Sequence, residues 1–401
     1  MDYPAQFDCG DDGGAGMSEP IIQGPIIQGW CPGALRPMLS GDGYVVRVRP
    51  RGGRLTPNQA KGVADLARLH GNGLIDLSAR ANVQLRGVTE ASHPALIEGL
   101  RALGLIDASA EAEARRNIVV APFWTEADPT QRLAAELTEA LAVADAPQLP
   151  GKFGFVLDTA APPCLRDVSA DIWIETGPDG LLLATQAPRA KPVTVGNAVA
   201  EAMALAHWFI ANGGVTGGRG RMAALLQRHD LPAGFTAPRL AAAAPARPGA
   251  HPAGQLVGFA FGQMTAETLA ALAELGPLRV TPWRMLLIEG ANAAPDLPDL
   301  ITRPDDPMLR VLACTGAPGC LQAHAATRDL ARALAPHLTQ TLHVSGCAKG
   351  CAHPGAAPLT LTATPAGFTL IRDGSASGAP AREGVSAEAL IQNPALLTEF
   401  P

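Results

Sequence analysis

One structural unit is written twice in this chain, and that recurrence limits the fold more than any other feature. Tyr44-Val-Val-Arg-Val-Arg49 alternates in the manner of a strand. After Gly52-Gly53, Thr56-Pro-Asn-Gln59 supplies an N-cap, a proline at the first helical position and a capping-box Gln. Val63, Leu66 and Ala67 form an apolar helical face, Gly71-Asn-Gly73 ends the helix, and Leu74–Leu77 and Val83–Val88 read as extended. About 210 residues later the order returns. Gln255–Gly262 reads as a strand, Met264-Thr265-Ala-Glu-Thr268 opens a helix bearing Leu269, Leu272 and Ala273, and Leu278–Ile288 reads as the following strand. The pattern predicts an internal duplication and a pseudo-twofold α+β protein. Chance recurrence of a common unit is the alternative.

The rest of the chain divides around these copies. The first unit spans 30–104 and an α/β lobe 105–231; an Ala/Pro-rich linker covers 232–254, the second unit 255–305 and a last lobe 306–401. In the first lobe Asn117–Pro122, Phe153–Asp158, Asp171–Glu175 and Leu181–Thr185 read as strands, with helices at Val195–Ala211 and from Arg219 onward. Residues 1–29, with Asp11-Asp-Gly-Gly-Ala-Gly16, read as disordered, and Met17 is a candidate start of the folded chain. There is no run of eighteen apolar residues and no basic start leading into an apolar stretch, so a cytoplasmic protein off the membrane is expected. A net charge of −6 offers no field for nucleic acid.

Four of the seven cysteines fall into two pairs, Cys314-x5-Cys320 and Cys347-x3-Cys351, joined by a stretch that reads as one helix and one strand. Soft thiolates suit an iron–sulfur cluster or zinc. Small residues fill the gaps, which lets backbone wrap closely around a bulky inorganic group. The first gap is long for structural zinc, whose ligands usually lie two to four residues apart. Spacing therefore favours iron–sulfur and leaves zinc open. Cys320 is expected to open a helix through Leu321, Ala325 and Leu334, whose dipole would favour its thiolate.

Arg47-Val-Arg49-Pro-Arg-Gly-Gly53 followed by Ser78-Ala-Arg80-Ala-Asn-Val-Gln84-Leu-Arg86-Gly87 resembles the first ferredoxin-like repeat of the nitrite and sulfite reductases. The cysteine pairs resemble their signature for a 4Fe-4S cluster. The resemblance implies a pseudo-twofold nitrite/sulfite reductase-like fold with two ferredoxin-like half-domains and two α/β lobes. It also implies Cys314, Cys320, Cys347 and Cys351 as cluster ligands. Within that superfamily, Trp30-Cys-Pro-Gly-Ala-Leu-Arg-Pro-Met38 and Ser345-Gly-Cys-Ala-Lys-Gly-Cys-Ala-His-Pro354 are most similar to the precorrin-3B synthase family of cobalamin biosynthesis. That likeness implies an oxygen-dependent monooxygenase that hydroxylates a meso carbon of precorrin-3A and closes a lactone. A siroheme-dependent sulfite or nitrite reductase is the alternative.

By the resemblance, Arg47, Arg80, Gln84, Arg116 and Lys152 are tetrapyrrole-binding positions, and Arg47, Arg116 and Lys349 are candidate catalytic ones. Arg49 and Arg86 lie nearby. Guanidinium groups suit a substrate rich in carboxylates. Three departures weaken anion reduction, and with it siroheme: Lys349 where the reductases carry Asn, Asp76 where they carry Arg, and Gly154 where they carry a second Lys. Oxygen chemistry needs an open iron position, and His353 is the nearest candidate for a mononuclear non-haem iron, ahead of His324 and His343. With no dinucleotide fingerprint legible, electrons are expected from a separate protein donor or an NAD(P)H-dependent reductase.

Overall fold

The computed structural model describes residues 32–398. The expectation of disorder at 1–29 and the motif residues Trp30 and Cys31 lie outside them. The first unit contains β1 (Met38–Ser40), β2 (Gly43–Val48), β3 (Arg54–Leu55), α1 (Pro57–His70), β4 (Leu74–Leu77), β5 (Val83–Val88) and α2 (His93–Ala102). The Thr56 hydroxyl accepts from the Gln59 N–H while the Gln59 side chain accepts from Thr56, so the capping box forms as its residues require. After α3 (Ala110–Arg115), the first lobe runs β6 (Ile118–Val120), α4 (Thr130–Ala142), β7 (Phe155–Asp158), β8 (Ile172–Gly177), β9 (Gly180–Ala184), β10 (Arg189–Val193), α5 (Ala198–Ala211) and α6 (Met222–Leu225).

The stretch read as a linker carries β11 (Ala237–Pro238), which pairs with β10, and β12 (Gly249–His251), which pairs with β13 (Gly254–Phe259). The second unit continues with β14 (Gln263–Thr265), α7 (Ala266–Ala273), β15 (Leu278–Val280), β16 (Met285–Glu289) and β17 (Leu300–Ile301). Here one expectation is corrected: Leu278–Ile288 is two antiparallel strands, because Pro282 interrupts the ladder and Arg284 turns the chain with φ +59°. The last lobe holds β18 (Val311–Ala313), α8 (Arg328–Leu334), β19 (Leu342–Ser345), β20 (Ala357–Thr364), β21 (Gly367–Gly374), β22 (Arg382–Val385) and α9 (Ala387–Gln392).

The duplication is visible in the pairing. One sheet has the order β1-β2-β5-β4-β14 and the other β12-β13-β16-β15-β3, so each half-domain lends its edge strand to the other's sheet. The strands lent correspond, each lying between a short 3-10 turn and a Thr-capped helix. Helices α1 and α7 pack together between the sheets. Val63, Ala67, Leu269 and Leu272 from the helices share a core with Ile75, Leu85, Leu278 and Leu286 from the strands. Each fully buried aliphatic side chain there contributes about 1.5–3 kcal/mol. The lobes also correspond: β6-β7-β8 and β18-β19-β20 are parallel, followed by antiparallel strands. The protein is thus a mixed α/β molecule built on a pseudo-twofold.

Candidate functional site

Cross-strand partners share a face of a sheet. Across the first sheet Arg47 faces Gln84, Gln84 faces Asp76, and Asp76 faces Gln263, which makes one polar row over four strands. Arg47 donates to Gln84 Oε1 at 3.0 and 2.7 Å, and Gln263 donates to Asp76 at 2.8 Å. Arg86, two residues past Gln84, points to the same side. It donates to Asp76 at 3.0 Å, to Asp42 at 2.8 and 2.7 Å, and to the Gly319 carbonyl at 3.3 Å. Burial pulls its pKa down, but the two carboxylates outweigh burial and hold it above its ordinary value. This polar face meets the cysteine loop. Ser40 and the Gly41 N–H also donate to Gly319, and any Cβ at Gly41 would lie 2.1 Å from the Pro318 carbonyl.

The four cysteines follow the carboxyl ends of two parallel strands, Cys314 directly after β18 and Cys347 shortly after β19. The Gly346 N–H donates to Cys314 Sγ at 3.2 Å, and Thr327 donates to the Cys314 carbonyl at 2.7 Å. Gly316 turns the first loop with φ +68°, and a side chain there would strike Thr327. Desolvation pushes the Cys351 thiol up, Lys349 pulls it down, and Cys314, Cys347 and Cys320 raise it further, so the other three sulfurs all act on Cys351. Among the described residues no three His, Cys, Asp or Glu side chains converge tightly enough for a single metal ion. Four thiols carried on two loops, three of them acting on Cys351 and one receiving a backbone N–H, make a donor set that fits a cluster, which holds its ligands farther apart than one ion does. The expected helix at Cys320 is corrected. The Ala323 and His324 N–H groups bond to the Cys320 and Gly346 carbonyls in turns, α8 begins only at Arg328, and no helix dipole serves Cys320.

The candidate cations separate into two sets. Arg80 donates to the Lys152 carbonyl at 3.1 Å, so these residues come together at the partly exposed edge between first half-domain and first lobe; Arg47 and Gln84 are half-buried. Arg116 is buried instead. Its guanidinium is held by Asp107 at 2.8 and 2.8 Å and by the Arg49 carbonyl, so it serves as an internal ion pair. Arg49 is buried too, 3.3 Å from Glu113, and burial lowers its pKa to about 10. Glu113 in turn accepts from the Ala34 and Leu35 N–H groups, which fastens residues 34–35 to this region. His353 packs edge-on against buried His343 with ring centroids 5.8 Å apart, and among the described residues no carboxylate is bonded to either ring. No sequence pattern points to Asp42, Glu113, Arg284 or Arg328, whose partners lie far along the chain.

Residues 36–103 match the nitrite/sulfite reductase ferredoxin-like half domain. The fold is similar to that of the NirA protein of Mycobacterium tuberculosis, with a TM-score of 0.59 and 19% identity over 87% of this chain and 79% of that one. The assimilatory ferredoxin-dependent nitrite reductase of Haloferax mediterranei is 27% identical over 150 residues, 33% of this chain and 25% of that protein. Fold and half-domain together define a nitrite/sulfite reductase-like protein. A precorrin-3B synthase of Sinorhizobium sp is 34% identical over 399 residues, covering 88% of this chain and 84% of that protein. The chain belongs to the precorrin-3B synthase family and is an oxidoreductase.

Proposed function

We propose that this enzyme acts in cobalamin biosynthesis as an oxygen-dependent monooxygenase, converting precorrin-3A to precorrin-3B. One oxygen atom of O2 enters the substrate, as a meso hydroxyl with lactone closure by a ring acetate, and the other leaves as water with two electrons and two protons. The observation that carries this reading is the meeting of four thiols with the polar face of the first half-domain through Gly319. Cys314, Cys320, Cys347 and Cys351 would hold a 4Fe-4S cluster, which supplies single electrons when bound.

Arg47, Gln84, Arg80 and Lys152 then bind and orient substrate carboxylates from the accessible edge, each guanidinium offering a paired fork of donors. Arg116 and Arg49 hold the floor beneath through Asp107 and Glu113. His353 stays the candidate ligand for a second, mononuclear iron, and a separate protein or NAD(P)H-dependent reductase supplies the electrons. Replacement by Asp76 and Gly154 of two cations that the reductases carry favours the large tetrapyrrole over sulfite or nitrite. The test is anaerobic purification with iron, sulfide and tetrapyrrole analysis, followed by turnover of precorrin-3A with and without O2. Iron and sulfide near four each and O2-dependent product are expected. One zinc without sulfide, or extracted siroheme with sulfite turnover, would overturn the reading.

A further inference from the structure

Three arginines from separate parts of the chain gather around one carboxylate beside the cysteines. Arg86 comes from β5, Arg284 from the turn between β15 and β16, and Arg328 from the first residue of α8. Asp76 lies 3.0 Å from Arg86 and 3.7 Å from Arg328, and it acts electrostatically on Arg284, which also donates to the Ala352 carbonyl. Asp42 is the second acid, held by Arg86. Three cations against two anions leave an excess of one positive charge. Arg332, the further cation near Arg328, is exposed and paired with Asp329 at 3.9 Å.

Arg328 is the member closest in chain to the cysteine framework. Its neighbour Thr327 is bonded to the Cys314 carbonyl, and the Arg328 and Cys314 charges act on each other. The side chain is only 15% exposed, lies 5.7 Å from the Phe261 ring, and has an Nε without a hydrogen-bond partner among the described residues. Holding a guanidinium there costs desolvation that one carboxylate at 3.7 Å does not offset. A neighbouring negative charge would.

Resting on the cluster reading above, we propose that Arg328, set by Asp76, is a positioning residue that raises the reduction potential of the cluster at Cys314, Cys320, Cys347 and Cys351. Reduction adds one electron to the cluster. A fixed cation in a low-dielectric surround favours the added charge, and Asp76 moderates that effect. No bond or proton changes on the arginine.

The test is a potentiometric titration with dithionite and mediators, followed by electron paramagnetic resonance, on the full-length protein with iron and sulfide measured alongside. Arg328→Met should lower the reduced-to-oxidised ratio at fixed potential about tenfold, about 59 mV for a one-electron couple. Arg328→Lys should recover most of that shift, and Asp76→Asn should move the midpoint upward. An unchanged midpoint in Arg328→Met with full iron content would overturn the proposal, as would both charge variants moving the same way. If Arg328→Met does not assemble a cluster, Asp76→Asn decides, and a midpoint at or below the wild type's overturns it. Loss of the cluster in both variants assigns the arginine an assembly role instead. Wild-type protein without iron and sulfide sinks the cluster reading itself, which is seen before any variant is compared.

Discussion

His343 provides a pH dependence that can be worked out and then removed. It lies within β19, fully buried, and neither ring nitrogen has a hydrogen-bond partner among the described residues. Burial first, then His353 and Arg284, hold its pKa at about 4 against an ordinary 6.5. Below pH 6.5 the unfolded chain takes up a proton that the folded one refuses. The stability associated with the neutral ring is therefore complete above 6.5 and lost as pH falls toward 4. At roughly 1.4 kcal/mol per pH unit the loss reaches about 2 kcal/mol at pH 5 and about 3 kcal/mol at pH 4. His343→Phe keeps an aromatic ring against His353 and leaves no buried nitrogen unpaired, so its stability at pH 7 should equal or exceed the wild type's. Urea unfolding of both proteins at pH 7, 6 and 5 measures the difference, in which titrations common to the two cancel. The variant should gain about 2 kcal/mol on the wild type between pH 7 and pH 5. Parallel stability curves would refute the reasoning.

Other substitutions separate binding from folding. Arg116→Met leaves Asp107 buried without its bidentate partner, at about 3–5 kcal/mol, and should lower the thermal midpoint by on the order of 10 °C in a calorimetric scan. Arg80→Ala, at the accessible edge, should weaken precorrin-3A binding about tenfold in a fluorescence titration while the melting temperature stays within a degree or two. Glu113→Gln removes the charge facing Arg49 and should release residues 34–35, read as faster amide exchange at Ala34 and Leu35 with a loss of about 2–4 kcal/mol. Thr56→Ala removes half of a capping box and should cost about 1 kcal/mol by urea denaturation.

Local chemistry was readable from the sequence where it decides local structure. The Thr56–Gln59 capping box and the strand at β2 are set by near neighbours and both form, although β2 breaks its alternation at an irregularity where Val45 and Val46 are buried together, and the unit recurs after about 210 residues. What could not be read depends on distant pairing. Nothing in Gln263-Met-Thr265 states that it joins β4 of the other half-domain, although that exchange brings Gln263 to Asp76. The apolar run through Leu278–Ile288 hid a turn, because period-two patterning is the same on both sides of Pro282. Cys320 looked like the start of a helix because the run from it to Pro336 holds Leu321, Ala325 and Leu334 with no other proline. Leu321 is in fact 75% exposed, and the loop's N–H groups bond across to Gly346 instead of along a helix. Arg116 looked like a binding residue because sequence position does not reveal Asp107 beside it.

The pseudo-twofold explains why the site is one-sided. Each half-domain sheet sets arginines of one face against the loops that follow the parallel strands of a lobe. On the second sheet Arg279 donates to the Pro122 and Trp124 carbonyls at 2.7 Å each, with its guanidinium 3.7 Å over the Trp124 ring. On the first, Arg86 donates to the Gly319 carbonyl. The equivalent loop thus carries an aromatic cap after β6 and Cys314–Cys320 after β18. Glu289, on a strand of the same sheet, pairs Arg279 and Arg54 together. At the first sheet Asp76 and Asp42 are shared among three arginines, and a net positive charge remains beside the thiols. Duplication of the frame therefore repeats the sheet-to-loop arrangement, and residue choice in one copy sets four thiols beside a net positive charge. Exchanging the loop chemistry alone should therefore not reproduce the site, because the charge balance at Asp76 also draws on Arg86 of the first sheet, Arg284 of the second and Arg328 of α8.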